Sequence, residues 1–80
     1  MTIGEAVKFR ILELCKQRKI TVNKLCTISG VTQSTVNNIV SGRNNSATVS
    51  TIQKICDGLN ITITDFFDSE YFQNLEQEIR

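Results

Sequence analysis

Between Leu25 and Arg43 the sequence reads LCTISGVTQSTVNNIVSGR, two short helical patterns joined at one glycine, and few folds accommodate that arrangement. Leu25, Cys26 and Ile28 fall on or beside one face of the first pattern. Gly30 supplies a left-handed turn that a residue with a Cβ resists, and Val31 is expected to pack beneath it. Thr32 stands where the second helix needs an N-cap. Val36, Ile39 and Val40 then recur at i, i+3 and i+4, which buries one side of that helix and leaves Gln33, Ser34, Asn37 and Asn38 outward. The outward face carries no charge. A solvated helix face usually holds Lys and Glu, whereas a row of amides and hydroxyls matches the donors and acceptors that base edges present in the DNA major groove.

Eighty residues make one small domain, in which an ordinary hydrophobic core leaves a net stability on the order of 5 kcal/mol. A helical bundle is the economical solution. No apolar run approaches the roughly 20 residues of a membrane span, and no basic segment followed by an apolar stretch opens the chain, so a cytoplasmic protein without membrane attachment is expected. Cys15, Cys26 and Cys56 are widely spaced, form no CxxC pair and have no histidine to accompany them, which argues against zinc and for reduced, buried thiols; no cofactor is implied.

The formal net charge of +1 conceals a division along the chain. Residues 1–45 hold seven Lys and Arg against two Glu, a balance of plus five; residues 46–80 hold two against six, minus four. The half containing the two joined helices is the half that phosphates would attract.

In order, helix 1 is expected over about residues 4–18 with Val7, Ile11, Leu14 and Cys15 as its core stripe. Phe9 and Leu12 lie away from that stripe and need a cover of their own. Lys16, Arg18 and Lys19 crowd its last turn, where cations complement the helix dipole. Thr21 caps helix 2, whose Asn23, Lys24 and Thr27 are exposed near an anion-friendly N-terminus. Gly42 is expected to end helix 3, with the polar loop Arg43, Asn44, Asn45, Ser46 beyond it. Thr48 starts helix 4, with Val49, Ile52, Ile55, Cys56 and Leu59 as core, and Asn60 is a plausible left-handed terminator. Thr62 and Asp65 form a capping-box start for a short helix 5 carrying Ile63, Phe66 and Phe67. Phe72, Leu75 and Ile79 recur at i, i+3 and i+7, the pattern of a sixth amphipathic helix in the tail, and Phe9 and Leu12 are the surface it is expected to cover, in its own subunit or a dimer mate. The division is then a helix-turn-helix domain over 1–67, its motif at about 21–41, and a tail over 68–80.

The leucine-plus-small pair Leu25 and Cys26, the turn Gly30-Val31-Thr32, the segment Gln33 to Ile39, Gly42-Arg43 and the run IxxxDFF from Ile61 together resemble the Cro and lambdoid-repressor type of helix-turn-helix, the xenobiotic-response-element family of bacterial and phage regulators. The resemblance spans about Val7 to Phe67. It implies an all-α, compact five-helix lambda-repressor-like DNA-binding domain, here with a short C-terminal sixth helix, acting as a homodimer on double-stranded DNA with helix 3 in the major groove. Carried over by position, Thr32, Gln33, Ser34 and Asn38 read bases, with Asn37 beside them, while Asn23, Lys24, Thr35, Arg43, Asn44 and Asn45 are the candidates for phosphates. Phe9, Leu12, Phe67, Phe72, Leu75 and Ile79 are the candidates for dimer or tail packing.

Three departures stand out. Relatives often begin helix 2 with a glutamine that braces helix 3, but Val22 occupies that position, so the brace is expected to be missing. An Arg and Glu pair between helices 1 and 3 is replaced by Cys15 and Val40, a joint change that avoids a stranded buried charge and predicts that the two side chains meet. Ala47 stands where many relatives have proline. The reading that competes with a transcriptional regulator is a protein-interaction module, such as an antitoxin, whose acidic tail holds a partner protein. An enzyme is not expected, since the chain has no histidine and no phosphate-binding glycine loop.

Overall fold

The computed structural model describes residues 1–41 and 47–77; the expectations for Gly42, Arg43, Asn44, Asn45 and Ser46, and for Glu78, Ile79 and Arg80, lie outside them. Along the described residues run α1 (Ile3–Arg18), α2 (Val22–Ser29), α3 (Gln33–Val40), α4 (Val49–Leu59), α5 (Ile63–Phe67) and a single 3-10 turn, Glu70–Phe72.

Each of these α-helices begins on a threonine. Thr2, Thr21, Thr32, Thr48 and Thr62 are all extended, and each hydroxyl accepts the backbone N–H three residues on, at 3.2, 3.0, 3.3, 3.0 and 3.0 Å. Such a cap is worth about 1 kcal/mol over alanine, so the chain states five helix starts in one chemical form. Glu5 and Asp65 complete reciprocal capping boxes on α1 and α5. The ends use left-handed residues: Lys19 (φ 56°), Gly30 (φ 69°) and Asn60 (φ 58°). At Lys19 and Asn60 the next N–H reaches back five residues, Ile20 to Cys15 and Ile61 to Cys56, both at 3.0 Å, the Schellman closure.

The core is one cluster. Val7, Ile11, Leu14 and Cys15 of α1 meet Leu25 and Cys26 of α2, Val31 of the turn, Val36 and Ile39 of α3, Ile52, Ile55, Cys56 and Leu59 of α4, and Phe66 of α5. Ala6 is buried as well. α1 packs on α3, and Val40 is half-buried against the cluster that contains Cys15. α2 lies across α4 so closely that a Cβ on Gly58 would stand 2.8 Å from Ser29 Cα and 2.9 Å from Ile28 O. The three cysteines are free and buried, and burial pushes each thiol up from its ordinary value, Cys15 also feeling the charge of Cys26.

Two expected core positions are not core. Val49 is 75% exposed. It sits nine residues before Gly58, roughly 14 Å along the helix axis from the crossing with α2, so its place on the apolar stripe extends beyond anything to pack against. Ile28 is 39% exposed, at the edge of the α2 face rather than on it.

The tail departs further. The sixth helical element is one 3-10 turn rather than an amphipathic helix, and residues 73–77 are not helical. Phe72 turns into the aromatic cluster of α5, 4.8 Å edge-on from Phe67 and 6.3 Å from Phe66. Edge-to-face pairs contribute about 0.5–1.5 kcal/mol beyond their buried area, and a continued helix would give this contact up. Tyr71, not Phe72 or Leu75, stacks on Phe9 at 6.0 Å, and Leu12 remains 37% exposed. Glu76 N–H donates to Met1 O at 3.0 Å, drawing the strand that follows the turn along the start of α1.

Candidate nucleic-acid interface

α2 and α3 are joined by three residues whose geometry is fixed one by one. Gly30 takes the left-handed conformation and its N–H closes on Cys26 O at 3.0 Å; Val31 is buried; Thr32 caps α3. Thr21 fixes the other end of α2 by accepting from Lys24 N–H. With Leu25 and Cys26 below α2 and Val36 and Ile39 below α3, both helices have their apolar faces in the core and their polar faces in solvent.

The α3 surface carries Gln33, Ser34, Asn37 and Asn38, all exposed. Among the described residues, no side-chain hydrogen bond engages Ser34, Asn37 or Asn38. Thr32 and Thr35 are less available. Thr32 Oγ1 accepts from Thr35 N–H and also pairs with Thr35 Oγ1 at 2.8 Å, and Thr35 is half-buried. A threonine paired in this way keeps its methyl group as its outward feature.

Asn23 and Lys24 stand exposed in the first turn of α2, and Thr27 donates to Asn23 O at 3.2 Å. The brace expected to be missing is supplied from the neighbouring position: the Asn23 side-chain carbonyl accepts from Gln33 Nε2. Val22 is half-buried against the core and takes no part. The signal was present in the sequence, since Asn23 and Gln33 each lie just after a threonine cap and a three-residue turn fixes the distance between them.

Arg10 was missed altogether. Counted by sequence among the cations of the basic half, it turns inward, donating from Nε to Phe66 O at 2.7 Å, from Nη2 to Asp65 O at 2.8 Å and from Nη1 to Glu13 at 2.6 Å. Its signal is Ala6, one helical turn earlier on the same face, whose small side chain leaves room for a guanidinium. Lys8 lies over the Phe9 ring at 5.5 Å. The exposed cations of the first 41 residues are therefore Lys16, Arg18 and Lys19 at the end of α1 and Lys24 on α2.

This geometry, two capped helices with an uncharged outer face on the second, defines a helix-turn-helix DNA-binding domain. The family described as the Cro/C1-type HTH DNA-binding domain matches residues 10–70, and the chain belongs to it. A similar solved structure, titled "Crystal structure of the prophage Lp1 protein 11", is 39% identical with a TM-score of 0.82, over 94% of this chain and 99% of that one. Among curated proteins, none matches. The family is one of DNA-binding regulators, not of enzymes, and no helix of the described residues is long and apolar enough to cross a membrane.

Proposed function

We propose that this chain is a transcriptional regulator, a repressor, that binds a two-fold operator as a homodimer with α3 in the major groove. The observation that carries the reading is the exposed, uncharged row Gln33, Ser34, Asn37 and Asn38 on a helix whose position is fixed at both ends. Gln and Asn can each make a bidentate contact to adenine N6 and N7, and the Thr32 methyl is suited to a thymine methyl, so the half-sites contain A/T pairs. Lys24, Asn23, Thr35, Arg43, Asn44 and Asn45 take phosphates and set register. Two copies of α3 about 34 Å apart, one DNA turn, enter successive major grooves on one side of the duplex, and an occupied operator excludes polymerase. The DNA it reads puts it in the cytoplasm, at the nucleoid. The partner-protein alternative is weakened by the tail, since Phe72 packs on Phe66 and Phe67 of its own chain.

The test is selection from a randomised duplex pool followed by titration at several salt concentrations. A palindromic A/T-containing site with a steep negative salt slope is expected. Gln33→Ala loses roughly 1–3 kcal/mol on that site and little on random DNA, whereas Arg43→Ala weakens both. Equal losses on both DNAs for the two variants would overturn these roles.

A further inference from the structure

We infer that Asn23 is a specificity-setting residue which acts through Gln33 rather than an independent phosphate contact; this rests on the reading of Gln33 as a base reader. Asn23 lies in the first turn of α2 behind the Thr21 cap, and Gln33 is the first residue of α3 behind the Thr32 cap, so both backbones are held. Across that fixed gap the Asn23 carbonyl oxygen accepts from Gln33 Nε2. The acceptor of Asn23 is thereby committed to the recognition helix.

The consequence for Gln33 is orientation. A free glutamine has three rotatable side-chain bonds and loses their entropy when a base holds it. Its two amide edges are also interchangeable by rotation, so it can offer an acceptor or a donor to the same base atom. With one Nε2 hydrogen on Asn23, the other hydrogen and Oε1 remain together on the far edge, the donor and acceptor pair that adenine N7 and N6 require. Part of the ordering is complete before DNA arrives, and the rotated amide would set oxygen against oxygen.

The test compares wild type, Asn23→Ala, Asn23→Asp, Gln33→Ala and the Asn23→Ala/Gln33→Ala double variant on the selected duplex and on random DNA. Asn23→Ala is expected to lower the ratio of specific to random affinity about fivefold, the factor that one neutral hydrogen bond is worth. Asn23→Asp keeps the ratio, because a carboxylate still accepts from Nε2, while weakening both DNAs through its charge. In the Gln33→Ala background, Asn23→Ala leaves the ratio where it stands. A loss equal on both DNAs that persists in that background would overturn the inference and return Asn23 to a phosphate.

A second readout needs no DNA. In the free protein the Gln33 side-chain amide protons should resonate apart from those of exposed glutamines, collapse toward them in Asn23→Ala, and stay apart in Asn23→Asp. Amide protons indifferent to both substitutions overturn the brace itself. If the amide signature is present but wild type prefers no sequence, the base-reading assignment has failed, and the specificity role of Asn23 with it.

Discussion

Two seams of this small molecule use polar side chains in opposite ways. Between α1 and α5, Arg10 satisfies its guanidinium inside the fold, on Asp65 O, Phe66 O and Glu13, beneath an aromatic cluster of Phe66, Phe67 and Phe72. Across α2 and α3, the polar groups of Ser34, Asn37 and Asn38 face outward with no protein side chain engaged. The first seam consumes its hydrogen-bonding capacity to hold the helices together; the second keeps its capacity for another molecule and leaves cohesion to the apolar face below. A charged residue near the surface is therefore a poor guide to which half of the chain meets DNA, since one of the cations in the basic half is a structural clamp.

The comparison is broken most sharply at the aromatic seam. Phe66→Ala removes the largest fully buried side chain and is expected to lower stability by about 3–5 kcal/mol in denaturant unfolding, enough to unfold much of a domain of this size. Arg10→Met keeps the volume but strands two carbonyls of α5, for an expected loss of about 1.5–3 kcal/mol with specific and random DNA affinity unchanged once the protein is folded. If Arg10→Met instead weakened DNA binding at full stability, the two seams would not be separate. Gly58→Ala drives a methyl into the Ser29 backbone and should cost about 1–3 kcal/mol while displacing α2, so here stability and DNA affinity fall together.

The smallest effect lies at the α1 cap. The backbone N–H and hydroxyl of Thr2 hold the Glu5 carboxyl below the usual carboxylate range. A group depressed in the folded state contributes stability above its unfolded value and loses that contribution as pH falls through the folded one. Thermal midpoints measured downward through the carboxylate range should therefore decline slightly less steeply in Glu5→Gln than in wild type.

Much of this was legible in the sequence for a physical reason: capping and core burial are local or periodic. Thr21, Thr32, Thr48, Thr62 and Asn60 announce themselves because a cap depends on the three or four residues beside it. Val7, Ile11, Leu14, Ile52 and Ile55 do so because 3.6-residue spacing marks a face. Periodicity gives an angle but no extent, which is why Val49 passed for core; the helix continues past its neighbour. It also cannot weigh a helical tail against one aromatic contact, and Phe72 follows the contact. Arg10 and the Asn23 to Gln33 bond join residues 55, 56 and 10 positions apart, distances that no local pattern measures. The surface row of α3 was visible because it is one helix face, whereas the loop residues Arg43, Asn44 and Asn45 remain assignments by resemblance.

The close passage of α2 over Gly58 bears on how such a domain can diversify. Because backbone meets backbone there, the height of the helix-turn-helix above α4 is set by a hard stop and not by the sizes of the side chains around it. Substitutions that drift through the neighbouring core alter filling without re-aiming the platform, and substitutions on the outer row of α3 alter what is presented without loosening it. A descendant could exchange its preferred DNA sequence by changing three or four exposed residues, provided the one position without a side chain stayed empty.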